Sequence, residues 1–360
     1  MPPILRFPRL GKEKYRGVSE RLIRRVVKRI NRQYHKAHKD HEGDVVSVLG
    51  ESIFSRPRAY VSSGIVPIDC VVCYGMGFPS GIVEIFGPEA SGKTAVLEHT
   101  LAEAQRQRYY TGLIVAEYSL DYRRVKTVGL NEEQLIISDA ETIEDVYEQI
   151  RDIVREIRKK DSETPIVFGW DSIAATPTRS EMAETADLEM SDMGKKALQM
   201  SKFFRRLVRF LFMNKVCLIC INQTRVNLGQ MWGNKEATSG GKALKFYAWV
   251  RCRIRQMKPI KGKGGNEIGF MCELKVVKNK IAPPFKVCKV PIFWSRGIDN
   301  PRAVWEYAID LRVFKRKGSA HKFNGHLVTR RTFPKFYAHH KKEIDALIRK
   351  ASAQSYEEEE

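Results

Sequence analysis

The stretch VEIFGPEASGKTAVLEH, residues 83–99, limits the possible folds of this chain more than any other segment. An apolar run leads into a bend holding Gly87, Gly92, Lys93 and Thr94 in the order G-x-x-x-x-G-K-T, and a helix-like run follows. Glycines let backbone wrap closely around phosphate oxygens, and a helix starting behind them aims its positive end at the anion. Between a strand and a helix this order is a P-loop, in which Gly87, Pro88, Glu89, Ala90, Ser91 and Gly92 cradle phosphate. Lys93 then reaches the β- and γ-phosphates, and Thr94 offers its hydroxyl to Mg2+. The bland alternative is a glycine-rich structural turn.

The pattern downstream agrees with the motif. After the P-loop helix come a strand (TGLIVAEYS), a helix, a short strand (LIIS), a helix (IEDVYEQIRDIVREIRKK) and a strand (PIVFGWDS). A further helix (ALQMSKFFRRLVRFLFMN) and strand (VCLICINQ) extend the series. Apolar strands alternating with amphipathic helices predict an α/β fold whose parallel sheet is covered on both faces. AWVRCRIRQMK and GFMCELKVVKNK alternate in the manner of an antiparallel pair added at one side, and DVVSVLG (44–50) reads as a short strand. These patterns divide the chain into 1–44, 45–300 and 301–360.

A P-loop needs an acid at a nearby strand end to hold Mg2+ through water, and PIVFGWDS supplies Asp171 there. Hydrolysis needs a carboxylate beside the attacking water, and Glu117 closes another parallel strand, where loops converge on a nucleotide. Two C-x-x-C pairs raise zinc or redox chemistry as an alternative. Cys217 and Cys220 lie in a strand, where residues three apart point to opposite faces. Cys70 and Cys73 could share a helical face but have no second ligand pair nearby. Burial as small hydrophobes accounts for all seven cysteines.

Sixty-three basic residues against 42 acidic ones give a formal charge of +21, which favours a polyanionic partner. Nucleic acid leads, with an anionic membrane surface as the weaker choice. No apolar run approaches the roughly 18 residues of a membrane span, and no secretory leader is visible, so a cytoplasmic location is expected. Residues 1–42 hold 13 basic and 4 acidic residues, with Leu22, Ile23, Val26, Val27 and Ile30 on one helical stripe. That helix either packs as a surface element with a solvated basic face, or docks on a neighbouring subunit or nucleic acid.

At this level of detail the chain resembles the RecA-type recombinases, the bacterial and phage strand-exchange proteins, from about Val45 to Asp299. The resemblance rests on VSSGIVPID, GIVEIFGPEASGKT, AEYSLD, WDSIAATP, INQTRVNLGQMWGNKEATSGGKALKFYAWVR and KVVKNKIAPPFK. It implies a RecA-like P-loop NTPase core with a mostly parallel, helix-covered sheet, an N-terminal oligomerisation arm and a small C-terminal annex. It also implies that ATP, with Mg2+, is the nucleotide.

The same resemblance implies roles for individual residues. Glu117 would activate water, and Gln223 would sense the γ-phosphate and pass nucleotide state to the DNA site. Asp121 and Trp294 fall where the family handles adenine; the Trp294 ring either stacks on the base or fills core. Lys278 and Lys280 match lysines that reach ATP across a subunit boundary, acting as arginine fingers do. Without the resemblance they read as a solvated strand edge. Two loops, about 181–192 and 224–241, would grip DNA. Ser201, Arg205 and Arg225 would touch phosphates. Gly240 and Gly241 would bind phosphate at a helix start, and Met231 and Trp232 would wedge between bases.

The implied partners are single-stranded DNA, a homologous duplex and further copies of the chain in a helical filament; no membrane is implied. Three features depart from the family. The first loop is acidic, Leu198 stands where relatives commonly carry arginine, and both ends diverge, including the acidic run Glu357 to Glu360. That run is either a solvated end or an electrostatic competitor covering the basic annex. Two rival readings share the P-loop: an accessory protein that binds DNA without exchanging strands, and a ring-forming helicase.

Overall fold

The computed structural model describes residues 19–38, 45–47, 57–117, 122–182, 192–226, 236–238 and 243–357. These fall into two units, one before Pro57 and one from it onward. In the first, α1 (Glu20–Ala37) is the amphipathic helix that the periodicity predicts. Asn31 turns back onto the following segment: its Oδ1 accepts from the N–H groups of Val45 and Val46, and its Nδ2 donates to the Val46 carbonyl at 2.7 Å. The apolar stripe is left open, with Leu22 50%, Ile23 41% and Val26 46% exposed. Residues 45–47 form a bend; the rest of the strand expected at 44–50 lies outside the described residues.

The second unit opens with β1 (Tyr60–Val61), α2 (Val66–Cys73) and β2 (Phe78–Pro79). The P-loop unit follows: β3 (Gly81–Gly87), α3 (Lys93–Arg106) and β4 (Tyr110–Val115). After these come α4 (Tyr122–Thr127), β5 (Leu135–Ser138), α5 (Ile143–Lys160) and β6 (Ile166–Asp171). Thr142 and Asp145 form a reciprocal capping box that starts α5, Thr142 Oγ1 accepting from the Asp145 N–H at 3.2 Å. Next are α6 (Arg179–Met182), α7 (Asp192–Met213), β7 (Val216–Val226), β8 (Glu236–Thr238) and α8 (Ala243–Tyr247). The long strands β9 (Val250–Lys261) and β10 (Glu267–Asn279) lead to β11 (Val287–Phe293) and β12 (Gly297–Ile298). Last come α9 (Asn300–Asp310), a small meander β13 (Lys315–Lys317), β14 (Ala320–Phe323) and β15 (His326–Val328), and α10 (Phe333–Glu357).

The main sheet runs β12-β11-β10-β9-β3-β7-β6-β4-β5. All pairings from β9 to β5 are parallel, whereas β9–β10, β10–β11 and β11–β12 are antiparallel, so an antiparallel wing continues a parallel core. Residues of β3 alternate between two cores. Val83 and Ile85 pack with α2, α3 and α9 on one face, and Ile82 packs with α5, α7 and α8 on the other.

The α/β class and the antiparallel β9–β10 pair agree with the sequence. Two expectations change. The second loop is partly a β-ribbon, because β7 runs on to Val226 and pairs antiparallel with β8, Arg225 opposite Ala237. The helix expected from KALKFYAWV is only five residues long, since Trp249 donates its N–H to Ile82 O at 2.8 Å and joins the sheet. Cys217 and Cys220 belong to opposite cores, and all seven cysteines are buried free thiols. Among the described residues no cluster of three His, Cys, Asp or Glu could hold a metal, and no helix is long and apolar enough to cross a membrane.

Candidate nucleotide site and nucleic-acid loops

The C-terminal ends of β3, β4, β6 and β7 meet at the start of α3. Between β3 and α3 the loop turns through Gly92 at φ +95°, a conformation that side chains resist. A Cβ on Gly87 would sit 2.0 Å from the Ile254 carbonyl, and one on Gly92 would sit 2.4 Å from Ile292. The cradle is thus shaped by β9 and β11 pressing on it from behind, which explains why glycine is needed at both places. Pro88, Glu89 and Ala90 are exposed and Ser91 is buried, its hydroxyl donating to Pro88 O at 2.7 Å.

Lys93 is buried, its ammonium donating to the carbonyls of Pro88 at 2.6 Å and Gly87 at 3.3 Å. Burial lowers its pKa, and Asp171, Glu117 and Glu89 pull it back up. Thr94 donates to Asp171 Oδ2 at 2.7 Å. Burial raises the Asp171 pKa, opposed by the Thr94 hydroxyl and supported by the charge of Glu117. Glu117, exposed at the end of β4, accepts from Ser172 Oγ at 2.5 Å and from Gln223 Nε2 at 3.3 Å. The residues predicted from sequence as P-loop, metal-side acid, water-activating acid and sensor thus converge. A hydroxyl beside a carboxylate is a hard-oxygen pair suited to Mg2+, an ion that takes its remaining ligands from phosphate and water.

Sequence reasoning missed several members of this site. Ser172, which orients Glu117, follows Asp171 directly, and a hydroxyl beside a strand-end acid carries no distinguishing pattern. Glu98, one turn beyond Thr94, has a side chain only 2% exposed and is gripped by both Nε and Nη2 of Arg124 at 2.8 Å. Thr94, Glu98, Glu117, Arg124 and Asp171 line a common cleft. Glu98 was findable, because a glutamate on the inward side of an otherwise apolar helix needs a partner.

The remaining predicted residues are distributed more widely. Trp294 is 60% exposed just beyond β11, two residues from the Ile292 that touches the cradle. Lys278 lies at the far end of β10, beyond the last residue that β11 pairs (Lys275 opposite Val287), and Lys280 follows just past the strand. Their ammonium groups are held by α8: Lys278 donates to Lys245 O at 2.5 Å and Phe246 O at 2.9 Å, and Lys280 to Phe246 O at 3.4 Å. Ser201 and Arg205 stand four apart on α7, Arg205 exposed, and Leu198 on the same helix is 57% exposed. Arg225 belongs to the β7–β8 ribbon. Asp121, Met231, Trp232, Gly240 and Gly241 lie outside the described residues, as do most of the acidic first loop and Glu358 to Glu360.

Comparison with known proteins matches residues 21–299 to the family described as the RecA N-terminal domain. Protein RecA of Desulforapulum autotrophicum is 34% identical over 308 residues, covering 85% of this chain and 84% of the relative. Protein RecA of Petrotoga mobilis is 35% identical over 302 residues (84% and 77%), and that of Bacillus thuringiensis 36% over 300 (83% and 82%).

Proposed function

The chain belongs to the RecA family, and from that premise we propose that it is a DNA-dependent ATPase that polymerises on single-stranded DNA, pairs it with a homologous duplex and exchanges strands. The observation that carries this reading is the meeting of Lys93, Thr94, Asp171, Glu117 and Gln223 at one cleft. ATP would lie on the cradle with its γ-phosphate towards Glu117. Lys93 would leave the Gly87 and Pro88 carbonyls for the phosphate oxygens, a short move for a group already poised there. Mg2+, held by Thr94 and through water by Asp171, would neutralise charge on the β- and γ-phosphates.

Glu117, oriented by Ser172, takes the proton of the attacking water as its oxygen bonds to the γ-phosphorus and the bond to ADP breaks. Lys278 and Lys280 of the adjoining copy would neutralise charge on the transferring group, which ties hydrolysis to assembly. Gln223, bonded to Glu117 and opening the β7–β8 ribbon, would pass the loss of γ-phosphate to the DNA loops. DNA would be held by Ser201, Arg205, Arg225, Gly240 and Gly241 at phosphates, with Met231 and Trp232 between bases. Asp121 and Trp294 would flank adenine, and the open stripe of α1 would dock on the next copy. Backbone contacts carry no sequence code, so DNA of any sequence should serve.

The test is to mix the purified protein with ATP, Mg2+, circular single strands and homologous linear duplex. Joint molecules are expected. DNA binding without joint molecules would mean an accessory protein, and closed rings in electron micrographs would mean a helicase-like assembly.

A further inference from the structure

Behind the lysine pair lies a charged row that the proposed mechanism does not use. Glu84 on β3, fully buried, is paired across the sheet with Arg251 on β9, and Arg251 is paired in turn with Lys278 on β10. Glu84 Oε2 accepts from Arg251 Nε, and its Oε1 accepts from Asn222 Nδ2 at 3.0 Å. The Arg251 guanidinium also lies over the Phe86 ring, 4.6 Å from its centre, so it is turned towards β3. Like charges directly opposite on neighbouring strands repel, and a carboxylate beyond them offsets the repulsion. A fully buried carboxylate is costly, and this one is satisfied on both oxygens.

We propose that Glu84 is a positioning residue for hydrolysis, acting through Arg251 to keep the ammonium of Lys278 charged at the carbonyls of α8, from which it would pass to the phosphate of an adjoining copy. The inference rests on the reading of Lys278 as a residue acting across the subunit boundary. Four groups face that ammonium: Lys280 from its own strand end, Arg251 from β9, Glu84 from β3 and the backbone carbonyls of α8. Burial, then Lys280 and Arg251, push the Lys278 pKa down to about 8, and Glu84 is the group that opposes them. Glu84 is the one carboxylate among these influences, and it reaches the lysine across Arg251. The row also touches the catalytic strand, because Asn222 Oδ1 accepts the Gln223 N–H at 3.0 Å.

The test reads Lys278 directly, by competitive acylation of the nucleotide-free full chain across pH 6 to 10 with peptide mass spectrometry. Glu84→Gln is expected to move half-reaction of Lys278 to lower pH, and Arg251→Met to higher pH. The double variant should return close to the parent. General loosening would raise the value in every variant by hydrating the amine, so an upward or absent shift in Glu84→Gln overturns the proposal. Should Glu84→Gln fail to fold, Arg251→Met and the double variant are compared instead; coincident profiles overturn it. The underlying reading is tested apart: persistent DNA-stimulated ATPase in Lys278→Ala refutes the boundary-crossing role, whatever the acylation profiles show.

Discussion

The P-loop cleft and the β10 lysine pair are both sets of polar groups at strand ends, yet they are built differently. In the cleft, side chains answer one another: Thr94 pairs with Asp171, Glu117 with Ser172 and Gln223, and Glu98 with Arg124, while Lys93 rests on the carbonyls of Gly87 and Pro88 inside the same loop. At the far end of β10, the ammonium groups of Lys278 and Lys280 rest on the backbone carbonyls of α8. Lysine on a helix's last carbonyls is a good local contact but a replaceable one. On the proposed reading the cleft would hold phosphate with residues of one chain, whereas the lysines would complete a site on another copy. That reading predicts that one chain suffices to bind nucleotide and that hydrolysis needs two.

Removing Lys93 should break the comparison outright. Lys93→Ala is expected to lower DNA-stimulated ATPase by at least about a thousandfold and to abolish stable filaments on DNA. Steady-state hydrolysis and electron microscopy check it, and undiminished turnover would show that the cleft is not the working site. Next in size, Glu117→Gln should lower turnover by about 10²- to 10⁴-fold while leaving binding of a fluorescent ATP analogue near the parent value. A parallel loss of binding would mean that Glu117 holds nucleotide and does not act on water.

Lys278→Ala separates the two regions. Turnover should fall by about 10²- to 10³-fold, while a dilute protomer keeps its affinity for the ATP analogue and its melting temperature. A mixing experiment sharpens this. Lys93→Ala supplies intact lysines and Lys278→Ala supplies an intact cleft, so the two inactive variants together should recover part of the activity if the site is shared. No recovery at any ratio would confine both residues to one chain's chemistry.

The same contrast explains what could be seen in the sequence. The cradle is contiguous, and its acids close apolar strands, so Gly87 to Thr94, Asp171 and Glu117 announce themselves through local spacing. Lys278 and Lys280 owe their meaning to a surface that local spacing does not encode, and only family resemblance singled them out. Glu84 sits in plain view in VEIFG, but its partners Arg251 and Asn222 come from distant strands that local spacing does not name. The β7–β8 ribbon and the β13–β15 meander were missed because strands of three or four residues leave little periodicity. The parallel core was legible for the opposite reason: its apolar runs are long, and helices of matching amphipathic period separate them.

The smallest expected effect concerns the joint between the two regions. His99, on the P-loop helix, accepts the Ile298 N–H on its Nε2 at 2.9 Å, tying α3 to the strand that closes the antiparallel wing. Burial, assisted by Arg106, pushes its pKa from 6.5 down to about 4. The neutral ring is therefore favoured in the folded chain, and the unfolded chain takes up the proton first. The stability held by this preference, about 3 kcal/mol as an order of magnitude, is present above pH 6.5 and drains away as pH falls towards 4. His99→Gln retains an acceptor for the Ile298 N–H but cannot titrate. Urea unfolding from pH 7 to 4.5 should show a shallower acid slope in the variant than in the parent, with similar stability at pH 7. Parallel slopes would mean that acid loosens the molecule elsewhere. A weaker variant at pH 7 would mean that the imidazole's packing, more than its neutrality, joins the nucleotide helix to the lysine-bearing wing.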